Sequence, residues 1–225
     1  MNPKRRWSQA VAFAILGVSA AWLAGCDGGG NSKVMGSVEV APGEHTGDVS
    51  TVNGSIRIRE NASVGRAHTV NGSISLERGA SAAELETVNG SIELAQQAKV
   101  SGQVQSVNGK LSLADGAEVG AALVNVNGTI RVAAARVAGA IDTVTGNIEL
   151  GPNAHVDGGI HMHKSESSFN LGFEHIPRIV IGPGSVVSGT LNFERPVKLY
   201  VSDTATIGSV QGATVVKFSG ERPPD

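Results

Sequence analysis

The chain has 225 residues, 30 of them glycine, with one cysteine, 4% aromatic residues and a formal net charge of −2, so it is neither disulfide-stapled nor a polycation. That charge balance argues against nucleic acid as a partner. Both tryptophans, Trp7 and Trp22, precede Cys26, and no Phe, Tyr or Trp lies between Cys26 and Ser168, so the core must be aliphatic and reaches native density only in regular stacked layers.

Residues 1–25 form an address. Lys4, Arg5 and Arg6 make a basic start, and the apolar run from Ala10 to Ala24 is short for a membrane span but suits the core of a signal peptide. The run ends in Leu23-Ala24-Gly25-Cys26, which resembles the lipobox of bacterial lipoproteins. That resemblance implies that the leader is removed and that the Cys26 thiol carries a diacylglycerol; an ordinary secretory signal followed by a free thiol is the simpler alternative. Cys26 is the only cysteine. Residues 26–33, rich in Gly, read as a flexible tether. Asp27 resembles an inner-membrane retention signal whose use differs between bacteria, so inner and outer membrane both stay open. The expected location is the cell envelope, lipid-anchored and facing the periplasm.

A repeat follows over residues 34–160. Thr51-Val52-Asn53-Gly54-Ser55-Ile56 recurs at Thr69 and Thr87 and drifts at Ser106, Asn125 and Thr143; its valines, Val52, Val70, Val88, Val107, Val126 and Val144, step by 18 or 19 residues. From Val88 the apolar positions are Ile92, Leu94, Ala98, Val100, Val104 and Val107, and from Val52 they are Ile56, Ile58, Ala62, Val64, Ala67 and Val70. A spacing of 2 puts both side chains on one face of a strand. Such pairs recur three times per period if Val104 with Val107, or Ala67 with Val70, is taken as a bulged pair, and the gaps between hold Gly and Asn. Each period is therefore one triangular coil, and the expected fold is an all-β, three-sided parallel β-helix of about 18–19 residues per coil. Asn-Gly hairpins in a β-sandwich are the alternative, but they do not demand a fixed register. In stacked coils Asn53, Asn71, Asn89, Asn108 and Asn127 form a ladder of side-chain amides.

Ile179-Val-Ile-Gly-Pro-Gly-Ser-Val-Val-Ser-Gly-Thr-Leu191 resembles the core repeat of the bactofilins, polymer-forming bacterial cytoskeletal proteins, and Ile148 to Ile160 fits the same pattern. That resemblance implies a right-handed, three-sided β-helix and self-association. The Thr-Val-Asn-Gly-Ser-Ile units separately resemble repeats of bacterial surface adhesins. The lipobox departs from the cytosolic bactofilin pattern.

Residues 161–178 break the register and are expected to form an inserted loop, carrying the first aromatic residues after the leader, Phe169 and Phe173. Coils resume over 179–220 and end in a cap, with 221–225 as a tail. His161, His163 and His175, with the outward His155, are the candidate metal ligands; lacking a firm spacing motif, they are more simply surface histidines, and no metal or other cofactor is assigned. The outward rank Arg57, Ser75, Glu93, Ser112, Arg131, Glu149 mixes charge without paired acids, no serine sits in a nucleophile elbow, and the glycines serve corners. The rank Thr51, Thr69, Thr87, Ser106, Asn125, Thr143 offers a flat hydroxyl strip, read as the polar outside of a strand with glycan or ice as a possible ligand.

The sequence therefore favours a non-enzymatic envelope lipoprotein whose β-helix is a scaffold or self-association module. An adhesin or glycan-binding surface module, using the hydroxyl strip or the 161–178 loop, is the alternative, and a polysaccharide-acting enzyme ranks below both. Its partners would be a membrane through the lipid, a second copy, or an envelope glycan. Cys26→Ser is expected to leave the chain unlipidated and release it from membranes on fractionation. Recovery of this variant wholly in the membrane fraction, with unchanged processing, would overturn the lipidation reading.

Overall fold

The computed structural model describes residues 31–164 and 176–223, and within them the chain is an all-β parallel solenoid. Every strand pairing is parallel and joins like positions of successive coils. One sheet of ten strands begins Val38–Val40, Ile56–Ile58, Ile74–Leu76 and Ile92–Leu94 and ends at Val215–Phe218, one strand per coil. A second sheet of 16 strands bends round the other two sides of the triangle. Its short side holds two-residue strands such as Lys99–Val100 and Glu118–Val119, and its wide side holds strands such as Val104–Asn108 and Leu123–Asn127.

The two step lengths have a local cause. In coils of 18 residues, Ser63–Asn71 and Ser81–Asn89 run unbroken across the corner between the short and wide sides. The next coil adds one residue there, and Ser101-Gly102-Gln103 separates Lys99–Val100 from Val104–Asn108. The later 18-residue step between Ile130 and Ile148 loses its residue at a different corner, where Ala135 N–H bonds the Ala133 carbonyl at 2.7 Å. Other coils turn this corner through left-handed backbone, with φ of 57° at Asn61, 66° at Gly79 and 72° at Gly116. Insertions and deletions of one residue are thus taken up at corners, and the sides keep their register.

Ladders of aliphatic side chains fill the interior. Ile56, Ile74, Ile92, Leu111, Ile130, Ile148, Ile179 and Leu199 form one continuous buried stack on the ten-stranded side. Each such side chain stabilises the fold by about 1.5–3 kcal/mol as an upper bound. The first described aromatic residue, Phe193, is buried on the next-to-last strand of the wide side.

On the wide side the structure corrects the expected inward set. Val52, Val70, Val88, Val107 and Val126 face outward and are half-buried, while Thr51, Thr69, Thr87, Ser106 and Asn125 point in and are at most 2% exposed. The strand keeps strict alternation from Ala67 or Leu85 through the threonine, so no bulge is needed. The physical reason lies in the hydrogen bonds. Thr69 and Thr87 donate their hydroxyls to the carbonyls of Gly54 and Gly72 at 2.9 Å, Ser106 to Gly90 at 3.1 Å, and the Asn125 amide to Gly109 at 3.0 Å. A buried hydroxyl with a fixed acceptor is tolerated, whereas an outward valine stacks on the valines above and below it.

Two boundaries also shift. The first strand, Asn31–Met35, takes in residues read as tether and pairs with Val49–Asn53. His161 belongs to the strand Ile160–Met162 and Arg178 to Arg178–Ile181, so the regular coil extends into both ends of the stretch read as an insertion. The pairing of Ile148 with Ile179 and Leu150 with Ile181 shows that coils on either side stack directly. Residues 165–175 lie outside the described residues.

Leu85→Asp is expected to lower stability by several kcal/mol, because it buries a carboxylate inside a stacked layer, while Val88→Asp on the same strand should cost no more than about 1 kcal/mol. Equal urea midpoints for the two variants would overturn the assignment of inward and outward positions.

Candidate functional site

The first cluster of chemistry-bearing side chains lies where Ile141–Thr143 stacks on Ile160–Met162. Ile141 and Thr143 on one strand, Ile160 and Met162 on the next, are buried inward, which turns Asp142 and His161 outward in direct register. His163, two residues further, falls on the same side. The His161 Nδ1 and His163 Nε2 atoms lie 3.1 and 3.3 Å from the same oxygen, Asp142 Oδ1. An ionised carboxylate only accepts, so both rings present an N–H to it. Glu194 Oε2 stands 3.8 Å from the other nitrogen of His163. Asp142 is only 7% exposed although it projects from the outer surface.

Burial pushes the Asp142 carboxyl upward, but hydrogen bonds from His161 and His163 and their positive charge outweigh it and hold the group below the usual carboxylate range. The hydrogen bond to Asp142 raises His163, against its partial burial, with the charges of Asp142 and Glu194 adding to the rise. The arrangement is a charge-assisted clamp between neighbouring coils.

The other histidine candidates are not part of this cluster. His155 lies on the short side of the triangle, 4.0 Å from Asp157. His175 and Cys26 fall outside the described residues. Among the described residues, no group of three or more His, Cys, Asp or Glu has the geometry to hold a metal ion. Nor does any described helix have the length and apolar character to cross a membrane. Asp142 has no second acid beside it in the sequence and so carries no mark of a paired-carboxylate site. The usable signal was the register itself, with His161 one 19-residue step after Asp142.

The hydroxyl strip offered as a glycan or ice surface is overturned, since Thr51, Thr69, Thr87, Ser106, Asn125 and Thr143 are all buried. Asn125 Oδ1 is buried without a hydrogen-bond partner, the local cost of an amide replacing a hydroxyl in this rank. The amides of Asn53, Asn71, Asn89 and Asn108 are joined coil to coil at 3.0 to 3.2 Å, and Asn127 meets Asn108 at 3.5 Å. Charged ranks on the outside are likewise paired between coils: Arg59 with Glu39 and Glu77, Arg66 with Glu84, and Arg131 with Glu149 at 2.6 Å.

A second feature is an open groove of about 820 Å³ beside the last coils, walled by residues from Phe193 to Tyr200, from Gly212 to Thr214, and by Val216. No protein-family model, curated protein or solved structure matches the chain. The parallel β-solenoid is nonetheless consistent with the fold that the bactofilin resemblance implies.

The opposite shifts of Asp142 and His163 define a pH window. The depressed carboxyl contributes stability above its unfolded value, near about 4, and loses it as pH falls through the folded value; the raised imidazole contributes fully below about 6.5 and loses it as pH rises through its folded value. Stability from the clamp is therefore greatest between these limits. The urea midpoint is expected to decline from about pH 5.5 to about pH 8, and Asp142→Asn should remove most of that decline. An unchanged slope in the variant would show that the clamp does not carry it.

Proposed function

We propose that this chain is a non-enzymatic envelope lipoprotein whose solenoid acts as a rigid scaffold and associates through its C-terminal coil. The observation that carries the reading is the unbroken coil-to-coil pairing of the ten-stranded sheet from Val38 to Phe218. At about 4.8 Å per strand it makes a rod roughly 43 Å long between its outer strands. Such a rod holds its two ends at a fixed separation, which suits a spacer hung from a membrane by the lipid on Cys26.

The ends differ in a way that supports association at one of them. At the N-terminal end, Lys33 occupies the register position of the buried Thr51 and donates to the Ser37 carbonyl at 3.1 Å. Lys33 is exposed, and a charged side chain on the first described strand discourages another strand from adding there. At the C-terminal end, Ile207, Val210 and Val215 sit above the buried Val187, Leu191 and Leu199 and are only partly covered. An apolar layer left open beside free strand edges is a surface for a second copy.

Full-length protein in detergent is expected to show oligomers that grow with concentration, by light scattering and electron microscopy, and Val210→Glu should return it to a monomer. Monomers at every concentration would overturn association, and cleavage of a polysaccharide by the purified protein would overturn the non-enzymatic reading.

A further inference from the structure

Five Asn-Gly pairs fall one to a coil on the same corner: Asn53-Gly54, Asn71-Gly72, Asn89-Gly90, Asn108-Gly109 and Asn127-Gly128. This dipeptide is prone to a reaction of its own, because glycine has no side chain to keep its backbone nitrogen away from the asparagine amide carbon. Each pair follows a valine, and each of these asparagines is exposed. Local sequence and access of water therefore do not tell the five apart.

Backbone hydrogen bonds do. The N–H groups of Gly54, Gly72, Gly90 and Gly109 donate to the carbonyls of Asn71, Asn89, Asn108 and Asn127 on the next coil, at 3.0 to 3.1 Å. The pairs Asp115-Gly116 and Asp157-Gly158, which can close the same ring, are held likewise: Gly116 donates to the Ala134 carbonyl at 2.8 Å and Gly158 to that of Gly139 at 3.1 Å. The Gly128 N–H makes no hydrogen bond among the described residues. The next coil carries Thr145 where an asparagine would continue the ladder, and Thr145 turns its N–H and hydroxyl to the Val126 carbonyl, at 2.9 and 3.1 Å. Gly128 also has a φ of 135°, in the region that favours glycine, and the other four glycines do not.

The side chains follow the same order. Asn71 and Asn89 are each held on both sides, donating to one neighbour and accepting from the next at 3.0 to 3.2 Å. Asn127 ends the ladder. Its Nδ2 lies 3.5 Å from Asn108 Oδ1, at the limit of a hydrogen bond, and the Thr145 hydroxyl lies 3.3 Å from its Oδ1. The unbonded glycine N–H thus adjoins the amide that is restrained least.

We propose that Asn127-Gly128 is a modification site, at which the folded chain converts its own asparagine to isoaspartate and aspartate while the other four pairs are protected. The Gly128 nitrogen gives its proton to a solvent base and bonds to Asn127 Cγ. The Cγ–Nδ2 bond breaks, and the amide nitrogen takes a proton from water and leaves as ammonia. Water then opens the cyclic imide at one carbonyl or the other, giving aspartate or, with the backbone rerouted through the side chain, isoaspartate. No oxidation or reduction is involved. Isoaspartate adds one backbone carbon at a corner, and a corner of this solenoid accepts a whole extra residue at Ser101-Gly102-Gln103. The product therefore keeps its fold. Its carboxylate only accepts, so the donor to Asn108 is lost and the ladder ends one rung earlier, with one negative charge added. The site rests on neither the lipid anchor nor the association of C-terminal coils.

The test ages full-length protein in detergent at mildly alkaline pH and follows each pair by peptide mapping with mass spectrometry, isoaspartyl and aspartyl peptides being separated by chromatography. Asn127 is expected to react roughly tenfold faster than Asn71 or Asn89, a ratio equal to about 1.4 kcal/mol of barrier. In concentrated urea the five pairs should react at similar rates, because hydrogen bonds between coils no longer separate them. Circular dichroism of the aged protein should keep its strand content, and Asn127→Gln should remove the fast product, since glutamine closes the larger ring far more slowly. Equal or slower reaction at Asn127 than at Asn71 in the folded protein, or a preference for Asn127 that persists in urea, would overturn the site. Loss of strand content in step with modification would overturn the accommodation of the product at the corner.

Discussion

Contact between glycine and carbonyl at the Asn-Gly corner sets the pitch on which the rest of the solenoid depends. A Cβ placed on Gly90 would overlap the Gly72 carbonyl oxygen, and the same relation links Gly72 to Gly54 and Gly109 to Gly90. That carbonyl also receives the buried hydroxyl of the same coil as the incoming glycine, Thr87 on Gly72 and Thr69 on Gly54. Close approach excludes every side chain at the glycine and calls for a short donor three residues before it. Each such hydrogen bond contributes about 1 kcal/mol net. Their larger effect is on specificity, since a slip of one residue would turn every inward aliphatic side chain out to solvent.

With register held on the sides, the corners are free to vary. One residue added at Ser101-Gly102-Gln103, or lost beside Ala135, leaves the neighbouring strands in their ladders. A longer excursion is handled in the same way. The 31-residue step from Ile148 to Ile179 keeps Ile148, Leu150, Ile179 and Ile181 in one pair of stacked layers. In a solenoid each coil interacts chiefly with its neighbours, so stability is a sum of local interfaces and an interruption at a corner costs little elsewhere.

The same regularity explains where chemistry collects. A rank that repeats unchanged offers equivalent positions, and its exposed ion pairs contribute little to stability. Departures from the repeat are the informative places. Asp142 takes two histidines on one carboxylate oxygen, His161 in register on the next coil and His163 two residues beyond it. That departure falls beside the 31-residue step from Ile148 to Ile179.

Much of the fold was legible in the sequence, because the spacing of Ile92, Leu94, Ala98, Val100 and Val104 carries the alternation of strands and the length of a coil directly. What spacing alone could not decide was which member of Thr87-Val88 points inward. Hydropathy favours the valine, and the answer depends on a carbonyl, that of Gly72, that only the preceding coil supplies. The clamp at Asp142 was hidden for a related reason: its partners are one coil away and its burial comes from neighbours rather than from its own strand. Sequence determined the coil, since periodicity is a property of one chain segment. Tertiary structure decided the polar contacts inside and between coils, since a hydrogen bond requires a partner whose position is set only when one coil is laid on the next.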